Sequence, residues 1–222
     1  RENYLLNSSI EGIEDSDLII LIGANPRFEA TMLNSRIRKA YLNNNTDIFC
    51  LGDIGDLNYP YEVLDNSTKT IKDIVNHTHR ISEKIHNSKK PIFLIGQSAL
   101  KLKSSPFLFE ELKKYLIKNN KINDNWNALN ILSNDASTVG SNYLNIFSSN
   151  DGTNKTIDKI SNNQIDVLFL FGQENLKINK KNEFIIYVGS HGDKGANLAD
   201  IILPGAAYTE QDGYFANIEG KI

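Results

Sequence analysis

His191-Gly-Asp-Lys-Gly195 sets an imidazole next to a carboxylate between two glycines, an arrangement that serves as an acid–base pair or as a tight turn. No nucleophile or metal partner follows it, which favours the turn. Gly96-Gln-Ser98 matches the first three residues of a G-x-S-x-G nucleophile elbow. Leu100 stands where the closing glycine belongs, so a serine that caps the next helix is the stronger reading. Gly23-Ala-Asn-Pro-Arg27 leads into a helix start, where free amides and an arginine could hold a phosphate. It lacks the G-x-G-x-x-G spacing, and the competing reading is plain capping by Asn25 with Pro26 at the first helical position. His77 and His79 stand two apart on a helix expected over 70–86, so they point to different faces. His86 closes that helix, where a cation offsets the macrodipole. Cys50 is the single cysteine, which excludes an intramolecular disulfide, an iron–sulfur cluster or a thiolate zinc site built from this chain alone.

The elements that must position these residues are legible as short apolar runs ending in glycine. They are Asp17-Leu-Ile-Ile-Leu-Ile-Gly23, Asp47-Ile-Phe-Cys-Leu-Gly52, Pro91-Ile-Phe-Leu-Ile-Gly96, Asp166-Val-Leu-Phe-Leu-Phe-Gly172 and Glu183-Phe-Ile-Ile-Tyr-Val-Gly189. Uninterrupted rather than alternating runs imply burial on both faces, as in a parallel sheet covered by helices. Asp200-Ile-Ile-Leu-Pro204 is a shorter sixth run, closed or placed at an edge by its proline. Helices are expected after Asn25-Pro26, with Met32, Ile37 and Tyr41 recurring at near-helical spacing, and over 70–86, 107–117 and 126–132. Residues 53–66 and 137–163 read as irregular, the second crossing the open end of the sheet. Strand–helix–strand alternation predicts an α/β fold: a doubly wound, mostly parallel sheet with helices on both faces, and binding crevices beyond the carboxyl ends of the strands.

The 222 residues are 40% apolar and 23% charged, enough for a sizeable core, and fit one full domain or two small ones. A net charge of −3 lacks the basic footprint of a nucleic-acid binder, and no apolar run approaches the roughly 20 residues that cross a bilayer. The chain opens at Arg1, with no secretory or transit segment, which suggests a processed, split or partial polypeptide. Its 29 asparagines and 28 isoleucines fit the AT-rich codon usage of a small organellar genome.

The most specific text is Ala199-Asp-Ile-Ile-Leu-Pro-Gly-Ala-Ala-Tyr-Thr-Glu-Gln-Asp-Gly-Tyr-Phe-Ala-Asn-Ile-Glu-Gly-Lys221. It resembles the molybdopterin oxidoreductases, in which a strand ending Leu-Pro leads to a Glu, a Gly and then Asn-x-Glu-Gly-Arg. The Pro-Gly-Ala-Ala-Tyr-Thr-Glu version looks like one branch of that family, the large iron–sulfur subunits of respiratory complex I. Gly23-Ala-Asn-Pro-Arg-Phe-Glu-Ala30 with Asn34-Ser-Arg-Ile-Arg-Lys39, and Ile186-Tyr-Val-Gly-Ser-His-Gly-Asp-Lys-Gly-Ala196, are similar to two further motifs of that branch. The three occur in the family's order. Lys221 departs from the usual Arg.

The resemblance implies a molybdopterin-oxidoreductase-like domain over 1–222, lacking the N-terminal iron–sulfur half and the later C-terminal part of the family fold. It implies a structural, non-catalytic domain of mitochondrial complex I, on the matrix side of the inner membrane, supporting electron transfer from NADH to ubiquinone. The expected partners are other matrix-arm subunits, above all the iron–sulfur half, on a separate polypeptide or lost from a fragment. Iron–sulfur clusters belong to that half, and this chain holds no cofactor of its own. No catalytic, cofactor-binding or metal residue is assigned. Asn25, Pro26, Gly192, Gly195, Pro204 and Gly205 are expected to be structural. The alternative is a pterin- or nucleotide-binding oxidoreductase domain of a molybdenum enzyme, contacting its ligand through Arg27, His191 and Glu210.

Overall fold

The computed structural model describes residues 3–146, 152–173, 178–192 and 194–222. Residues 1–222, read from sequence as one α/β domain, form two compact units: Arg1–Leu144 with Ala216–Ile222, and Asn145–Phe215. In chain order the first unit contains β1 (Leu18–Ile22), α1 (Pro26–Glu29), α2 (Thr31–Asn44), β2 (Asp47–Leu51), β3 (Glu62–Asp65), α3 (Lys69–Val75) and α4 (Ser82–Asn87). It continues with β4 (Pro91–Gly96), α5 (Gln97–Leu100), α6 (Ser105–Lys118), β5 (Leu129–Leu132) and α7 (Thr138–Tyr143). The second unit contains α8 (Gly152–Ser161), β6 (Val167–Phe171), β7 (Phe184–Gly189), α9 (Lys194–Leu198) and β8 (Ile201–Pro204).

The first unit is a parallel five-stranded sheet in the order β3-β2-β1-β4-β5, flanked by helices. Leu18 pairs with Asp47 on one side and Pro91 on the other, so the three longest strands start level. The order runs outward from β1 in both directions. Right-handed crossovers then place connections on both faces, which is why the uninterrupted Ile and Leu of β1 and β4 are all buried. Each such side chain contributes about 1.5–3 kcal/mol by leaving water.

Several local expectations give way to tertiary context. Residues 129–132, expected as helix, form β5, with Leu129 level with Phe93. Asn127 and Asn130 break the apolar run into helix-like spacing. Asn130 is nonetheless fully buried, its Oδ1 accepting from Ser8 N–H at 2.8 Å and its Nδ2 donating to Ser8 Oγ and Ala128 O. The helix expected over 70–86 is two helices. His77 adopts a left-handed φ of 59°, and the N–H groups of Thr78 and His79 both donate to Asp73 O, ending α3. Of the expected stripe, Ile37 is buried and Tyr41 packs partly buried against the core, but Met32 faces solvent, and Leu33 and Ala40 complete the inner face of α2. Residues 62–65 supply the edge strand β3 inside an expected loop.

The tail of the chain latches the first unit. Leu6 N–H donates to Ile218 O at 2.9 Å, and Ile10 N–H donates to Glu219 Oε1 at 2.5 Å. Burial pushes the Glu219 carboxyl up, but the donors Lys221, Ile10 N–H and Asn217 outweigh it and hold it below the ordinary value. The Asn-x-Glu-Gly text thus works here as a clasp.

The second unit is a parallel three-stranded sheet in the order β6-β7-β8. Its covered face carries Leu170, Ile185 and Tyr187, packed with Ala196 and Ile178. The 137–163 stretch, expected to be irregular, contains α7 and α8, with 147–151 outside the described residues.

Candidate functional site

The strand order of the first unit reverses between β1 and β4, so its default ligand crevice lies between the carboxyl ends at Gly23 and Gly96. Directly between these two turns the chain closes on itself. Ser98 Oγ donates to Gly23 O at 2.6 Å. A Cβ on Gly96 would overlap Gly23 O and the Ala24 backbone, and one on Gly23, whose φ is +58°, would meet Ser98 Oγ at 2.5 Å and Ala99 N at 2.6 Å. The two glycines are required because two backbones touch, not because a phosphate approaches. Ser98 therefore neither caps α5, whose N-cap is Gly96, nor has a free hydroxyl to act as a nucleophile.

The Gly23–Arg27 turn is committed to the neighbouring loop. Arg27 Nη1 lies 2.5 Å from Asp56 Oδ2 and donates to Asp56 O at 2.8 Å. The Asn58 N–H first, and the Arg27 guanidinium second, hold the Asp56 carboxyl below its usual range. Pro26 does open α1, but the Asn25 side chain does not cap it; Asn25 Nδ2 donates to Ile54 O at 3.0 Å. Asn25 Oδ1 is buried with no hydrogen-bond partner among the described residues. Asn34, from the second half of the same motif, accepts from Tyr59 Oη at 2.7 Å and donates to Leu57 O at 3.1 Å. Arg36 pairs with Glu14 at 2.5 Å. The motif residues fasten residues 53–61 and the segment before β1 onto the sheet.

A cavity of about 270 Å³ opens at this junction, its lining taking in Gly23 and Ser98 themselves, the apolar Ile22, Leu51, Ile71 and Ile95, and the polar Asn66, Ser67, Thr68 and Ser105. No charged side chain lines it, so a phosphate there would meet the neutral hydroxyls of Ser67, Thr68 and Ser105 and the Asn66 amide but no cation. Cys50 is fully buried on β2, and burial first, then the charge of Asp53, pushes its thiol up to about 12. A thiol so high supplies no thiolate to a metal or a nucleophilic step. Among the described residues no group of three His, Cys, Asp or Glu converges as a metal site. His77 packs on Tyr115 with ring centroids 5.3 Å apart, His79 Nδ1 accepts from Ile81 N–H, and His86 lies in the last turn of α4 as expected. His77 and His79 lie in the turn after α3 rather than on a helix.

Of the residues that the ligand-binding alternative invokes, Arg27 lies in the first unit, whereas His191 and Glu210 lie in the second. His191 O accepts from Tyr187 Oη at 2.9 Å, and its Nδ1 lies 2.9 Å from Ser190 Oγ. Asp193, the carboxylate of the apparent pair, lies outside the described residues. Gly195 is needed, since a Cβ there would meet Gln173 O at 2.6 Å and the Tyr187 ring at 2.8 Å. Gly192, expected to matter equally, has open space around it. Glu210 Oε2 accepts from Ala207 N–H in a local turn, and Gly205 N–H donates to Gly189 O where β8 ends at Pro204. Sequence reasoning missed Asn34, Tyr59 and Glu219 as fasteners. The signal for Asn34 and Glu219 was membership of the motifs; Tyr59 carried none.

The sequence profile described as molybdopterin oxidoreductase matches residues 1–222. The chain is 42% identical to the NADH-ubiquinone oxidoreductase 75 kDa subunit of Reclinomonas americana, covering 100% of this chain and 32% of that protein. It is 36% identical to the mitochondrial NADH-ubiquinone oxidoreductase 78 kDa subunit of Candida albicans, again over 100% of this chain and 30% of that protein. It is also 36% identical to an NADH-quinone oxidoreductase subunit of Rickettsia bellii, over 100% of this chain and 31% of that protein. The chain spans about a third of the length of these relatives.

Proposed function

Because the chain belongs to the molybdopterin oxidoreductase family, we propose that it is a structural, non-catalytic domain of a complex I large subunit. Its place would be the matrix arm of the mitochondrial enzyme, where it braces the cluster-bearing polypeptide that passes electrons from NADH toward ubiquinone. The observation that carries this reading is that the motif residues are spent on internal fastening, with the Gly23 and Gly96 turns in direct contact. The uncharged lining of the cavity at that junction favours this reading over a pterin site, whose pyrophosphate would lack a cation to pair with. Clusters in a partner need fixed spacing and a surround that excludes water, since hydrogen bonding and solvent access set their potentials. A close-packed α/β layer supplies both without contributing a ligand. No helix among the described residues is long and apolar enough to cross a membrane, which suits a peripheral position.

The test is to recover the tagged chain from its native cells, identify the bound polypeptides, and then separate and desalt the chain. The expected result is co-purification with an iron–sulfur polypeptide, with neither iron nor molybdenum retained by the separated chain. Stoichiometric metal on the separated chain, or turnover of a substrate by it, would overturn the proposal.

A further inference from the structure

We infer that the open face of the β6-β7-β8 sheet seats an amphipathic helical segment from the two thirds of the relatives' length that this chain does not cover. This inference rests on the scaffold reading above and names the surface through which the chain docks. In the register of the sheet, Val167 lies level with Phe184, Phe169 with Ile186 and Ile201, and Phe171 with Val188 and Leu203. Residues level in a parallel sheet share a face, and every second residue along a strand returns to it. These eight therefore form one surface, all apolar and without a charge. Phe169 and Phe171 stack at 6.1 Å between centroids and are 52% and 72% exposed.

The topology explains why this face is bare. The order β6-β7-β8 never reverses, so right-handed crossovers all fall on the other side, where α9 and Ile178 cover Tyr187, Ile185 and Leu170. Parallel sheets are stable with both faces covered, and scattered exposed apolar residues differ from a contiguous patch of this kind. Three strands span about 14 Å and five residues about 16 Å, which matches one helix of roughly 11 residues with its side chains. The curated relatives run about three times the length of this chain, so such a layer has a source in the remainder of their sequence. A second copy of the sheet would instead pack strands on strands, which parallel sheets wound by right-handed crossovers rarely do.

The full chain carrying Phe171→Glu is compared with wild type for recovery of the iron–sulfur polypeptide from cells making both. Recovery should fall at least about tenfold. Thermal unfolding of the purified variant should match wild type, because Phe171 is exposed. Phe171→Leu should restore recovery, and Met32→Glu, at an exposed site in the first unit, should leave it unchanged. Ile201→Glu, on the neighbouring strand of the same face, should repeat the loss. Full recovery with both Phe171→Glu and Ile201→Glu overturns the inference while leaving the scaffold reading intact. A wild-type dimer that Phe171→Glu dissociates assigns the face to a second copy and overturns it as well. If wild type recovers no iron–sulfur polypeptide, the scaffold reading itself fails.

Discussion

β1 and β6 are both uninterrupted apolar pentapeptides, Leu-Ile-Ile-Leu-Ile and Val-Leu-Phe-Leu-Phe, yet all of β1 is buried and only Leu170 of β6 is. The difference lies in winding, not in composition. In the first unit the chain leaves β1 in one direction through β2 and β3 and in the other through β4 and β5, so its own helices reach both faces. In the second unit the chain moves one way only and shelters one face. An apolar run thus specifies that both faces must be covered. It does not specify by whom.

The largest test of the comparison is cavity creation. Phe93→Ala, at the centre of β4, should cost about 3–5 kcal/mol in a urea titration, whereas Phe171→Ala should stay within about 0.5 kcal/mol. Equal losses would dissolve the distinction between a sealed and an open sheet. The next concerns the contact between the Gly23 and Gly96 turns. Gly96→Ala should cost about 1–3 kcal/mol by forcing apart the Gly23 and Ala24 backbone, read as a lower thermal midpoint; Gly192→Ala should be close to neutral.

A third test sharpens what closes the first unit. Glu219→Ala removes a charge-assisted acceptor and should cost about 2 kcal/mol. Because the folded Glu219 carboxyl lies below its ordinary value of 4.5, its contribution is present above pH 4.5 and lost as pH falls through the folded value. Circular dichroism against pH should show the wild type losing stability in that acid range, and Glu219→Ala should flatten this part of the profile. The smallest effect is expected for Tyr59→Phe, about 1 kcal/mol, since the buried Asn34 Oδ1 loses its donor. Hydrogen exchange at Leu57, whose carbonyl Asn34 holds, should quicken in step.

The strands were legible because uninterrupted Ile, Leu, Val and Phe have no other stable use in a chain of this length, and the glycine-ended runs and the Pro204 run all form strands. β5 was not, because a buried asparagine looks polar until Ser8 and Ala128 O are found to satisfy it. The break between α3 and α4 hid for a similar reason: His77 carries no signal for a left-handed φ, and only the closing bonds to Asp73 O fix it. At the site, the sequence displayed the motifs but not their occupation. Arg27 reads as a phosphate ligand until Asp56, 29 residues on, is seen to hold it. Asn25 reads as a cap until its amide is found on Ile54. In each case the deciding partner is remote in the chain, and spacing alone cannot reveal it.

The clasp at Glu219 has a bearing on synthesis. Ile10 N–H and its acceptor are separated by 209 residues, and the whole second unit is translated between them. On the ribosome, the five-stranded core can condense as its strands emerge, but its amino-terminal flank waits unlatched until Ile218 and Glu219 leave the exit tunnel. A nascent chain stalled before that point would present Leu6 and Ile10 without their partners, a window in which chaperone contact or premature cleavage would concentrate on the segment before β1.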